Sequence, residues 1–138
     1  MSGRHGESHG RFEGIEPAVH SASRSLEFNS QACAPVVTDA MVAWVEEVQC
    51  WARGKGYLVG HIKVLLESGE CYALVSGTGR GVQATATEHW ERSGAGSIDL
   101  SVTAIIIGPP PGELEEFAGG ALERILARVE GTGSSNRS

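Results

Sequence analysis

The stretch from Tyr57 to Ile107 contains four segments in which apolar and polar residues alternate, separated by short turns rich in glycine. Alternation with a period of two is typical of β-strands that bury one face. The turns are too short for the crossover helices that parallel strands require, so neighbouring strands should pair antiparallel. We therefore predict a four-stranded antiparallel meander over this stretch.

A helix is predicted on each side of these strands. The first begins at Thr38, which can cap it, and ends at Gly54, with Trp44 and Trp51 on one face as core anchors or, alternatively, as a ligand-stacking surface. The second follows Gly112, after three prolines that cannot donate to a sheet ladder. Its apolar stripe comprises Leu114, Phe117, Ala118, Ala121, Leu122, Ile125, Leu126 and Val129.

The order α-β-β-β-β-α predicts an α+β fold, a two-layer sandwich with both helices on one face of the sheet. Leu26 and Phe28 also alternate with polar neighbours, which allows a fifth strand at the sheet edge. Residues 1–23 have too few apolar side chains to offset the entropy of ordering, so we expect a flexible leader. Residues 24–130 should form a single domain, followed by a disordered tail over 131–138.

Composition and charge narrow the range of partners. The 138 residues are 41% hydrophobic and 20% charged with a net charge of −6, and the eleven basic residues form no stripe, so no nucleic-acid partner is expected. The longest apolar run, 102–107, is far below the roughly 20 residues that span a bilayer, so no membrane partner is expected. The polar N-terminus and three unpaired cysteines without a Cys-x-x-Cys motif predict a cytoplasmic location.

Polar residues of the strands are the candidates for binding. They include His61, Lys63, Thr85 and His89, which would share the sheet face opposite the helices. With Glu88 or Glu91, the two histidines and the lysine could form an acid/base pair or a weak metal site, although isolated histidines on a polar sheet face are usually only solvated. We predict no cofactor and no defined metal site, and His5, His9 and His20 form only a sparse histidine tract in the leader.

No motif in the sequence specifies a reaction. The segment Gly77 to Gly81 has the glycine content of a phosphate-binding loop, but a strand follows it where such loops require a helix. A hairpin turn is therefore the better interpretation. No catalytic residues are predicted, which favours a protein that is not an enzyme.

One strand end suggests association between chains. From Ala104 to Ile107 both faces of the fourth segment are apolar, as expected for a strand end that is covered twice or that contacts another subunit. We therefore expect a small cytoplasmic binding or accessory domain that forms a homo-oligomer or binds another protein. The alternatives are a small enzyme or metal-handling protein that uses His61, Lys63 and His89, and a structural, shell-forming subunit.

Overall fold

A five-stranded antiparallel sheet and two helices make up the protein in the computed structural model, which describes residues 16–28, 33–90 and 96–133. The α+β class predicted from sequence is confirmed. The elements in chain order are β1 (Pro17–Glu27), α1 (Cys33–Gly54), β2 (Leu58–Ser68), β3 (Cys71–Gly77), β4 (Val82–Ala86), β5 (Ser97–Ile107) and α2 (Glu113–Gly133). No helix among the described residues is long and apolar enough to cross a bilayer.

The strand order is β1-β5-β2-β3-β4, which differs from the predicted meander in one step. β2, β3 and β4 follow each other as expected, but β5 crosses back and pairs with β2. β4 has only five residues and is largely exposed, whereas β2 has eleven residues and pairs with β5 through nine of them. β5 alternates buried apolar residues along its whole length, so its position between β1 and β2 places it inside the sheet.

β1 lies in part of the segment that we expected to be flexible. It pairs with β5 over its full length, from Pro17 opposite Ile107 to Glu27 opposite Ser97. The leader prediction is therefore wrong for residues 17–23, because this strand is held by backbone pairing and needs few apolar side chains. The optional fifth strand is present, but it begins seven residues before the predicted domain start. Residues 1–15 and 134–138 lie outside the described residues.

α1 begins at Cys33, five residues before the predicted cap at Thr38. Pro35 falls in the first turn, where the backbone N–H groups have no partner within the helix and a proline is tolerated. The Thr38 hydroxyl instead donates to the carbonyl of Ala34, 2.9 Å away and one turn earlier. The predicted start at Thr38 is therefore wrong, because Thr38 lies inside the helix and does not cap it.

The alternation of core-facing and outward-facing residues in β2 is interrupted by a bulge between Val59 and His61. Val59 consequently faces the core with 9% of its surface exposed, and Leu58 is 63% exposed, opposite to the faces predicted from simple alternation. A bulge inserts one extra residue into a strand and reverses the face of everything before it. Gly60 lies at this point, where an added Cβ would approach the Ile105 carbonyl oxygen to 3.0 Å.

Both helices pack against the buried face of the sheet. Met41, Trp44 and Leu122 from the helices are buried in one core with Ile62 and Leu100 from the strands. The Trp44 indole N–H donates to the carbonyl of Ala118 at 3.0 Å and so joins the two helices. Strand residues that alternate with the core point to the opposite surface, which neither α1 nor α2 covers.

Candidate functional site

The surface opposite the helices, which we call the open face, is the most extensive candidate site. It is formed by the strand residues that alternate with buried ones, and their cross-strand registers place them in rows. Its members include Val19, Ser21, Ser23 and Ser25 of β1, Asp99, Ser101, Thr103, Ile105 and Ile107 of β5, Leu58, His61, Lys63, Leu65 and Glu67 of β2, Tyr72, Leu74 and Ser76 of β3, and Gln83 and Thr85 of β4.

A polar row runs across the middle of the open face. Lys63 lies opposite Thr103 on one side and Ser76 on the other. The row continues to Ser21 beyond Thr103 and to Gln83 beyond Ser76. We call this row the polar band, and Lys63 is its only charged residue.

An apolar patch lies on one side of the polar band, which we call the end patch. It consists of Val19, Leu58, Ile105 and Ile107. Val19 pairs with Ile105, and Leu58 pairs with Ile107. Val19 and Leu58 are 58% and 63% exposed, so this patch presents large apolar side chains to solvent. The segment from Ala104 to Ile107, which is apolar on both faces as the sequence indicated, therefore has one face in the core and the other in the end patch.

A second apolar group, the strip, lies on the other side of the polar band. Leu65 pairs with Leu74, and Tyr72 follows in the next row of β3. Tyr72 is 52% and Leu74 38% exposed. Sequence reasoning identified the apolar strand end in the end patch but missed the strip, because it described the rest of this face by its polar residues. The sequence contains a signal for the strip, because apolar residues of β2 and β3 occupy positions that face both sides of the sheet, as the adjacent Leu65 and Leu66 do.

The structure does not bring the four candidate binding residues together. His61, Lys63 and Thr85 lie on the open face, as predicted, whereas His89 follows β4 in a turn. Thr87, two residues before His89, bonds to Tyr72, which pairs with Glu67, so His61 lies six residues away along β2. At about 3.3 Å per residue this separates the histidines by roughly 20 Å.

A site that uses both histidines therefore has no support in the geometry. Thr85 pairs with Leu74, one row away from the row of Lys63. The described part of the chain contains no group of three or more His, Cys, Asp or Glu residues that could hold a metal ion. Of the predicted set, only His61 and Lys63 are neighbours on the same face of one strand.

The glycine-rich segment between β3 and β4 is a hairpin connection, as predicted. The N–H of Gly79 donates to Oε1 of the buried Gln49 at 2.6 Å, and the Gly79 carbonyl accepts from Arg53 at 2.7 Å. Helix α1 thus holds this loop from the side. The amide that a phosphate would need at Gly79 is already used within the protein.

A polar and aromatic cluster joins the end of α1 to the start of α2. The Tyr57 hydroxyl donates to Oε1 of Glu113 at 2.6 Å, and Lys55 lies 3.2 Å from Oε2 of the same carboxylate. The hydrogen bond lowers the pKa of Glu113 and raises the pKa of Tyr57. Trp51 stacks on Phe117 with ring centroids 4.6 Å apart. Trp51 therefore contributes to the contact between the helices, and Phe117 occupies one of its ring faces.

His20 lies in β1 beneath α2. Its side chain is buried, and Nε2 has no hydrogen-bond partner. Burial lowers the pKa of His20, Glu115 acts to raise it and Arg24 acts to lower it. His20 is thus part of the sheet, while His5 and His9 of the predicted histidine tract lie outside the described residues.

Comparison with known proteins adds little to this description. No protein-family model matches the chain, and no curated protein matches it. Two solved structures resemble it, the Zn(II)-bound YjiA GTPase from E. coli and a Zn(II)-bound triple mutant of YjiA. Each is 21% identical with a TM-score of 0.36, and each match covers 72% of this chain and 29% of the other. A likeness at this level carries no argument about function, and the chain spans less than a third of those proteins.

Proposed function

We propose that this protein is a small cytoplasmic binding domain that associates with a second copy of itself through the open face. The observation that carries the proposal is the distribution of exposed apolar side chains. Among the described residues, the large apolar side chains that are exposed are Val19, Leu58, Tyr72, Leu74 and Val36, and all but Val36 lie on the open face. Apolar groups collected on one surface are typical of interaction sites.

The open face is large enough for a stable interface. Five strands spaced about 4.8 Å apart, with a length of about 30 Å, give an area of roughly 700 Å² per copy. A standard protein–protein interface buries about 800 Å² on each partner. Two sheets can pack face to face in this way because their exposed side chains interdigitate at a separation of about 10 Å.

The arrangement of the open face suits a two-fold symmetric dimer. The polar band lies between the end patch and the strip. A two-fold axis that lies in the interface and runs along the polar band, across the strands, brings the end patch of one copy against the strip of the other. This contact between end patch and strip then forms twice, as in an isologous interface. A second copy therefore provides an apolar partner for both groups.

Light scattering coupled to size-exclusion chromatography tests this proposal. We expect a mass near twice the 14.5 kDa of the chain at high concentration, decreasing towards a single chain on dilution. The double substitution L58E and L74E places a carboxylate in each apolar group and should weaken association at least ten-fold, about 1.4 kcal/mol. Circular dichroism verifies that the variant remains folded.

The matched control is V36E, which adds the same charge to an exposed apolar position of α1 away from the open face. It should leave the mass profile unchanged. A wild-type protein that is monomeric at all concentrations, or a double variant that associates like the wild type, would contradict the proposal.

The alternative of a small enzyme or metal-handling protein requires His61, Lys63 and His89 to act together. No observation favours it, because His89 lies at the far end of the sheet from His61. The expected absence of nucleic-acid and membrane partners remains a prediction from the sequence, as does the cytoplasmic location.

A further inference from the structure

A cleft of about 470 Å³ lies between the start of α1 and the outer strand β4, on the helix side of the sheet. We call it the edge cleft. The residues that matter for its chemistry are Thr38, Asp39, Ala84, Ala86, Glu88 and Trp90. Its volume falls in the range of sites that hold a small ligand or a few side chains of a peptide.

β4 is the last strand of the sheet, and no other strand of the described residues pairs with its outer side. Ala84 and Ala86 lie opposite the buried Val75 and Ala73, so they belong to the core-facing parity of the sheet. Both are nevertheless exposed, because α1 does not cover this end of β4. An edge strand with free backbone groups and an uncovered face is a template for a further strand.

The edge cleft combines two carboxylates with an aromatic side chain that is held in place. Asp39 and Glu88 both line the cleft and are exposed, and none of the described residues that line it is Lys or Arg. Trp90 is almost completely buried, and its indole N–H donates to the Thr38 hydroxyl oxygen at 2.8 Å. That hydroxyl in turn donates to the carbonyl of Ala34. The aromatic wall is therefore fixed in place by α1.

We propose that the edge cleft binds an extended peptide segment of a partner protein, which pairs with β4 as a sixth strand and places a Lys or Arg side chain between Asp39 and Glu88. Main-chain hydrogen bonds to β4 supply affinity, and the two carboxylates select a basic side chain. Apart from Thr85, which belongs to both, this site lies on the helix side of the sheet, away from the end patch and the strip.

Nuclear magnetic resonance titration with three peptide pools tests the proposal. Each pool contains heptapeptides that are randomised except at the central residue, which is Arg, Gln or Glu. We expect the Arg pool to shift the backbone amides of residues 84–88 and the indole N–H of Trp90. The Gln pool should act more weakly, and the Glu pool should have no effect. An Arg pool N-methylated at alternate backbone positions should lose most of its binding, since those peptides cannot complete the ladder.

The double variant D39N and E88Q should weaken binding of the Arg pool about ten-fold. The variant E46Q and E70Q removes two exposed carboxylates elsewhere and should bind like the wild type. The proposal is overturned if the Arg pool shifts no resonance of residues 84–88, if the three pools act alike, or if the largest shifts map to β1, β2, β3 or β5.

Discussion

His20 is a polar side chain buried without a partner for Nε2, between β1 and α2. Burial holds its pKa below the ordinary value of 6.5, so the folded state binds fewer protons than the unfolded state as the pH falls through this range. The free energy of unfolding is therefore highest above the pKa of His20 in the unfolded state. It decreases as the pH falls towards the lower pKa of His20 in the folded state.

We expect H20L to remove this pH dependence. The wild-type free energy of unfolding should decrease from pH 7.5 to pH 5.5, and the decrease should be smaller in H20L because leucine does not titrate. At pH 8, where the imidazole is neutral, H20L should equal or exceed the wild type by about 1 kcal/mol, since a buried unpaired nitrogen is removed. Urea denaturation measures both values, and identical pH slopes for the two proteins would contradict this account.

Gly77 is a position where the absence of a side chain is required. A Cβ there would overlap Oε1 of Gln49 and lie 2.8 Å from Cγ1 of Val45. Gln49 cannot move freely because it accepts the N–H of Gly79. G77A should therefore lower the free energy of unfolding by about 1–3 kcal/mol. G81A is the control, since a Cβ at Gly81 meets nothing within 4 Å; equal stability of the two variants would show that the contact with Gln49 is absent.

The face on which individual residues lie could be predicted where strands are regular. Alternation alone placed His61, Lys63 and Thr85 on the open face. A continuous alternation through β2 would put Leu58 in the core and Val59 on the open face, but a bulge reverses both, and a bulge depends on the partner strand and leaves only a glycine as its local signal. Which residues become cross-strand neighbours could not be predicted, because alternation does not determine register.

At the level of elements, α2 carries two adjacent glycines in its interior. A Cβ at Gly120 would meet no atom within 4 Å, and neither Gly119 nor Gly120 has a positive φ. Alanine loses less backbone entropy than glycine in a helix. We expect G120A to raise the free energy of unfolding by about 0.5–1 kcal/mol, measured by urea denaturation. A destabilised G120A would indicate that Gly120 faces a contact that the folded chain needs.

Helices and strands were recognisable to different degrees. α2 was predicted from its apolar stripe and begins directly after Gly112, as expected. β1 was missed over residues 17–23 because most of its side chains are small or polar. Its formation depends on the exposed ladder of β5, which is a property of another part of the chain.

At the level of the whole molecule, the strand order could not be predicted from the sequence. Ten residues separate β4 from β5, and this length permits either a neighbouring strand or a crossing to β2. The crossing places the most regular apolar strand inside the sheet and leaves the short β4 at the edge. This order creates both proposed surfaces, because it collects Val19, Ile105 and Leu58 in one patch and leaves β4 unpaired on its outer side.

The most direct test of the account is an isotope-filtered nuclear Overhauser experiment on an equal mixture of labelled and unlabelled protein, which reports only contacts between copies. We predict contacts between the methyl groups of Val19, Leu58 or Ile105 of one copy and those of Leu65 or Leu74 of the other. Contacts between copies that involve only α1 and α2, or none in a sample whose mass is that of a dimer, would contradict association through the open face.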